Sequence, residues 1–168
     1  TGVKEELVPS TITIIDKIDK LTTEELTQNF IELGLEEKQI TLLLEYFKLS
    51  LEELNNRFKD TTNQDIKEGL EELNNLEEYI IKMNLREYCT FTSSLARGQD
   101  YYTGNVFEVY EKNGALTGAI GGGGRYDKMI TEFIDDGEIY PAVGISFGLT
   151  SIFELLKNRE DFKDSSPV

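Results

Sequence analysis

The chain has no histidine and a single cysteine, Cys89, among its 168 residues. Serine–histidine hydrolysis and imidazole acid–base chemistry are therefore excluded for the chain alone. A lone thiol supplies neither an internal disulfide nor a cysteine-rich zinc site. Long apolar runs are missing too: none approaches the roughly 18 residues that cross a bilayer. The opening T-G-V-K-E-E-L lacks the apolar stretch of a secretory signal. Scarce cysteine fits a reducing compartment, so the expected location is cytoplasmic.

Positive charge is also scarce. There are 17 Lys and Arg against 32 Asp and Glu, a formal net charge of −15. Residues 1–88 carry 10 basic and 20 acidic side chains, and residues 89–168 carry 7 and 12. Sequence-independent nucleic-acid binding requires clustered cations to displace condensed counterions. That balance predicts neither a stand-alone RNA binder nor a DNA or membrane partner. Hydrophobic residues at 39% and charged residues at 29% fit a globular chain long enough for one ordinary domain or two small ones.

The first half reads as helices. Ile14, Ile15, Ile18 and Leu21 recur at helical spacing, and Ile40, Leu43, Leu44 and Phe47 follow the i, i+3, i+4, i+7 pattern. Ser50 and Glu53 have capping-box spacing ahead of Leu54 and Phe58. A longer helix is predicted from about Thr62, with Ile66, Leu70, Leu73, Leu76, Ile80 and Met83 on one face. Beyond about Tyr88 glycine becomes frequent, and the apolar stretches become short and β-branched or aromatic. Strands are predicted at 95–96, 106–110, 116–120 and 142–147, joined by turns at Gly98, Gly104 and Gly114. Helices are predicted at 126–133 and 149–156. The expected class is α+β: a lead-in segment 1–19, a helical subdomain 20–87, a mostly antiparallel sheet with flanking helices over 88–158, and a polar linker 159–168.

Three glycine-punctuated segments stand out. In R-G-Q-D-Y-Y-T-G (97–104), Arg97 offers a planar, permanently charged fork suited to carboxylate or phosphate. Tyr101 and Tyr102 offer an aromatic wall with hydroxyls. A plain hairpin, with Tyr102 packed and Arg97 paired to Asp100, accounts for the same residues. The run G-G-G-G-R-Y-D (121–127) costs backbone entropy and is expected where a ligand or another chain segment must approach the backbone. It lacks the Lys-Ser/Thr of a Walker loop. P-A-V-G-I-S-F-G-L (141–149) reads as a strand running into a helix, which close packing alone explains.

Taken together and in this order, the segments resemble histidyl-tRNA synthetases of class II. R-G-Q-D-Y-Y-T-G-N-V-F-E resembles the first signature of that family, G-G-G-R-Y-D its second, and P-A-V-G-I-S-F-G-L the third class II motif. I-D-K-I-D-K-L (15–21) resembles the start of its helical insertion. The resemblance implies activation of histidine with ATP to histidyl-adenylate, then transfer to the 3′ end of the histidine-accepting tRNA. It places Arg97 as the catalytic residue beside the substrate carboxylate and α-phosphate. Tyr101, Tyr102 and Tyr126 would line the histidine pocket, with Gly122 and Gly123 letting substrate lie against backbone. Gly144, Gly148 and Ser151 would face ATP. Mg²⁺ would arrive with ATP, with no protein-bound metal or organic cofactor. A homodimer is implied through first and second motifs that lie outside this chain, as does the anticodon-binding domain, and the piece alone is expected to be inactive.

Ser151 stands where the family's third motif carries an arginine on the ATP phosphates. Loss of that charge-assisted hydrogen bond costs about 1.5–3 kcal/mol. This departure favours a non-catalytic relative, the regulatory subunit of ATP phosphoribosyltransferase, which has a similar Y-Y-T-G-x-V-F-E stretch. The intact R-G-Q-D-Y-Y favours the synthetase. A third reading, an acidic helical protein-interaction module on a glycine-rich scaffold, requires three ordered motif matches to be accidental.

Overall fold

The computed structural model describes residues 2–97 and 101–157. The chain divides into two compact units, Thr1–Asp100 and Tyr101–Val168. Gly98, Gln99 and Asp100 of the first motif, with the turn expected there, lie outside the described residues, as does the linker expected at 159–168.

The first unit contains α1 (Val8–Ile15), α2 (Thr23–Leu33), α3 (Glu37–Tyr46), α4 (Leu51–Phe58) and α5 (Gln64–Lys82). Local chemistry sets the starts. Thr22 and Glu25 close a capping box on α2, and Ser50 and Glu53 close the expected one on α4. The Asn63 side chain accepts from the Ile66 N–H at 3.1 Å and starts α5. Leu26, Phe30, Leu35, Ile40 and Leu43 form the buried core, with Ile14, Ile15, Ile18, Leu21 and Phe47 packed around it. The helical spacing of Ile14 to Leu21 holds only in part. α1 ends at Ile15 and a separate 3₁₀ turn covers Ile18–Lys20, yet all four side chains reach one core. α4 and α5 are tied by reciprocal Asn55–Asn74 amide bonds of 2.8 and 2.9 Å.

Gly34 ends α2 at φ +95°, and the Leu35 N–H donates back to the Phe30 carbonyl at 3.0 Å. This left-handed stop turns buried Leu35 onto fully buried Phe30. Gly34→Ala is expected to cost about 1–2 kcal/mol. Urea unfolding of the wild type and the variant checks it, and an unchanged midpoint would contradict the role of the stop.

The second unit is a three-stranded antiparallel sheet, β1 (Val106–Val109), β2 (Gly121–Arg125) and β3 (Val143–Phe147), in the order β1-β2-β3. Helix α6 (Asp127–Ile134) follows β2, and α7 (Leu149–Leu156) follows β3. Two expected strands are absent. At 95–96 the Leu95 N–H donates to the Thr92 carbonyl, making a tight turn. The segment 116–120 is loop. It follows a turn gathered by the Glu111 carboxylate, which accepts from the backbone N–H groups of Asn113 and Ala115 at 2.9 and 2.8 Å. The middle strand is the glycine run itself, buried over 122–124.

Packing explains glycine in that strand. A Cβ on Gly123 would overlap the Gly144 carbonyl oxygen and lie 2.9 Å from the Phe107 ring, and one on Gly121 would lie 2.9 Å from the Phe147 ring. The run admits its own neighbouring segments, the second of the two causes expected from sequence.

Candidate active site

The register places Gly124 opposite Val106 and Gly144, and Gly122 opposite Glu108 and Ser146. Because side chains alternate along a strand, these residues share one face of the sheet. Gly121, Gly123, Phe107, Ile145 and Phe147 share the other. A Cβ on Gly124 would sit 2.7 Å from the Tyr102 ring, and one on Gly144 would sit 2.5 Å from the Tyr126 hydroxyl. Two phenols thus lie directly on two glycines that pair with each other across β2 and β3.

Tyr101 completes the group. Its ring centroid is 4.5 Å from that of Tyr102 and 6.2 Å from that of Tyr126, the latter edge-on at 90°. The Tyr101 hydroxyl donates to the Tyr102 hydroxyl at 3.4 Å. Tyr102 and Tyr126 are half-buried and Tyr101 is 38% exposed. Three rings carrying hydroxyls over a side-chain-free floor form a surface suited to a flat ring that also makes hydrogen bonds. On the same face, Glu108 accepts from the Tyr110 hydroxyl at 2.6 Å, in line with the expected alternation of Val106, Glu108 and Tyr110.

The structure therefore brings together Tyr101, Tyr102 and Tyr126. Gly144, expected among the ATP contacts, packs under the Tyr126 phenol, and the missing side chain of Gly123 points to the opposite face from Tyr102. Gly148 caps α7 and donates its N–H to the Ile120 carbonyl at 2.9 Å. Ser151 lies in the first turn of α7, its hydroxyl beside Gly148. Arg97, half-buried, is the last described residue of the first unit.

Sequence reasoning missed Thr103 and Asp127. The Asp127 N–H donates to Thr103 Oγ1 at 3.0 Å, while Asp127 Oδ1 accepts from the Ala142 N–H at 2.8 Å and Oδ2 from Arg125 Nε at 2.7 Å. Both residues lay inside the quoted motifs. A carboxylate two residues past a glycine strand, at the first residue of a helix, was the available signal.

The Ala142 N–H, aided by Arg125 and opposed by desolvation, holds the Asp127 carboxyl below its ordinary value. A depressed folded-state value contributes stability that is present above the unfolded value, about 4, and lost as pH falls through the folded value. The second unit is expected to melt at lower temperature near pH 3 than near pH 5, and Asp127→Asn should flatten the difference. Thermal scans followed by tyrosine absorbance read this out, and an equally steep loss in the variant would contradict it.

No helix among the described residues is long and apolar enough to cross a membrane. A helical unit followed in sequence by a glycine-centred antiparallel sheet and a closing helix matches the α+β arrangement of part of an aminoacyl-tRNA synthetase. Residues 8–152 match the family described as histidyl-tRNA synthetase, and the chain belongs to that family. It is 36% identical over 168 residues to histidine–tRNA ligase 1 of Bacillus cereus, covering 97% of this chain and 39% of that protein. The chloroplastic/mitochondrial histidine–tRNA ligase of Arabidopsis thaliana is 35% identical over 95% of this chain and 31% of its own length. The crystal structure of histidyl-tRNA synthetase from Nostoc sp. PCC 7120 superposes with a TM-score of 0.83 at 26% identity, over 93% of this chain and 38% of that one. The chain spans about two-fifths of the length of the Bacillus and Nostoc relatives.

Proposed function

We propose that this chain is part of a histidine–tRNA ligase that activates histidine with ATP and transfers it to the 3′ end of its tRNA. The observation that carries the reading is the seating of Tyr102 and Tyr126 on paired Gly124 and Gly144, with Tyr101 against both rings. Such a pocket selects an imidazole because a ring without nitrogens leaves polar groups unpaired. In this reading 20–87 is the family's helical insertion, 88–158 the later part of the catalytic core and 159–168 a linker. Arg97 stabilises charge growing between carboxylate and α-phosphate. Tyr101, Tyr102 and Tyr126 hold histidine over Gly122, Gly124 and Gly144, Gly123 serves the packing of the opposite face instead, and Gly148 and Ser151 lie toward ATP, which brings Mg²⁺. The protein works as a cytoplasmic homodimer through segments outside this chain. The acidic helical unit, with 20 acidic against 10 basic side chains over 1–88, offers tRNA little attraction; two of its lysines, Lys59 and Lys67, line one open groove between α4 and α5.

The names of the relatives and the intact R-G-Q-D-Y-Y support ligase over the regulatory subunit of ATP phosphoribosyltransferase, which Ser151 alone favours. Histidine-dependent ATP–pyrophosphate exchange by the full-length protein tests the choice. Exchange is expected, and histidine binding without exchange would reject the ligase.

A further inference from the structure

Asp127 joins three segments that each carry one wall of the tyrosine site. Its backbone N–H reaches Thr103 Oγ1, next to Tyr102. Its carboxylate takes the Ala142 N–H, two residues before Gly144. Tyr126 precedes it directly and donates its own N–H to the Ala142 carbonyl at 2.9 Å, so residues 126 and 127 bracket Ala142 from both sides. The Thr103 N–H donates to the Arg125 carbonyl at 2.8 Å, closing the ring of bonds.

We propose that Asp127 is a positioning residue for histidine, holding the Tyr102 and Tyr126 rings at their separation over Gly124 and Gly144 without touching substrate. The proposal rests on the ligase reading above. The bond that does this is the one to Ala142. The Arg125 side chain is 45% exposed, and an ion pair at the surface is worth little. A pocket whose walls are set by such supporting bonds loses substrate selectively when they loosen, because small misplacements of contacting groups carry large penalties.

The test uses the full-length protein and ATP–pyrophosphate exchange, with KM for histidine and for ATP measured separately and thermal melts alongside. Asp127→Ala is expected to raise KM for histidine about tenfold or more, with KM for ATP changed less than about twofold. Asp127→Asn retains an oxygen for the Ala142 N–H and should recover most of that loss. Thr103→Val removes the acceptor on the other side of the joint and should raise the same constant about threefold. An unchanged KM for histidine in Asp127→Ala overturns the proposal, as does an equal rise for both substrates, or an asparagine variant as impaired as the alanine one. If Asp127→Ala does not fold, Thr103→Val decides: a wild-type KM for histidine overturns the proposal. Absence of histidine-dependent exchange in the wild type is a separate result, which defeats the ligase reading and this inference with it.

Discussion

Arg97→Ala is expected to abolish histidine-dependent ATP–pyrophosphate exchange while leaving the fold intact. In the proposed reaction the carboxylate oxygen of histidine attacks phosphorus, and negative charge spreads over oxygens that a fixed guanidinium can meet. Removing one such preorganised donor from a transition state typically costs about 2.7–4 kcal/mol, or about 10²–10³ in rate. Arg97 is half-buried and lies outside the buried core of its unit, so the fold is expected to survive its truncation. Lysine should not rescue, since a point charge cannot reproduce the planar fork. Exchange rates and circular-dichroism melts together check this. Exchange retained at the wild-type rate would show that the assigned role is wrong.

Gly144→Ala should have an effect of similar size by a different route. Its Cβ would lie 2.5 Å from the Tyr126 hydroxyl, and 2.9 and 3.1 Å from two ring carbons. Tyr126 has little room to retreat, with Tyr101 edge-on beside it and its backbone bonded to Ala142. The ring must shift by a sizeable fraction of an ångström, and displacements near 1 Å cost about 10²-fold in a positioned site. A rise of about that size in the KM for histidine is expected, with the sheet still folded. Gly123→Ala is the instructive contrast. There the added carbon meets the Gly144 carbonyl and the Phe107 ring on the opposite face, so β2 and β3 must part and the unit itself should lose stability. Wild-type KM in Gly144→Ala would remove Tyr126 from the pocket.

The helices were legible because local chemistry decides them. Ser50–Glu53 announced the start of α4, and Ile40, Leu43 and Phe47 announced the inner face of α3. The strands were legible where side chains alternate, as at Val106–Val109, and illegible where they do not exist. A run of four glycines carries no periodicity, so β2 could not be recognised as the central strand, and apolar 116–120 took its place. Tyr101 and Tyr102 were singled out from the residues themselves as an aromatic wall, and Tyr126 through motif resemblance. Their arrangement was not, because it depends on the pairing of Gly124 with Gly144 twenty residues away. Thr103 and Asp127 were missed for a related reason: their importance lies in backbone partners that become neighbours only when the sheet forms.

In the proposed function, phenols resting on bare backbone hold one amino acid. Calorimetric titration of the full-length protein with histidine and, separately, with phenylalanine addresses it directly. Saturable binding of histidine is predicted, with phenylalanine failing to bind at a hundredfold higher concentration, or about 2.7 kcal/mol weaker. Equal binding of the two, or no binding of histidine, would contradict the account.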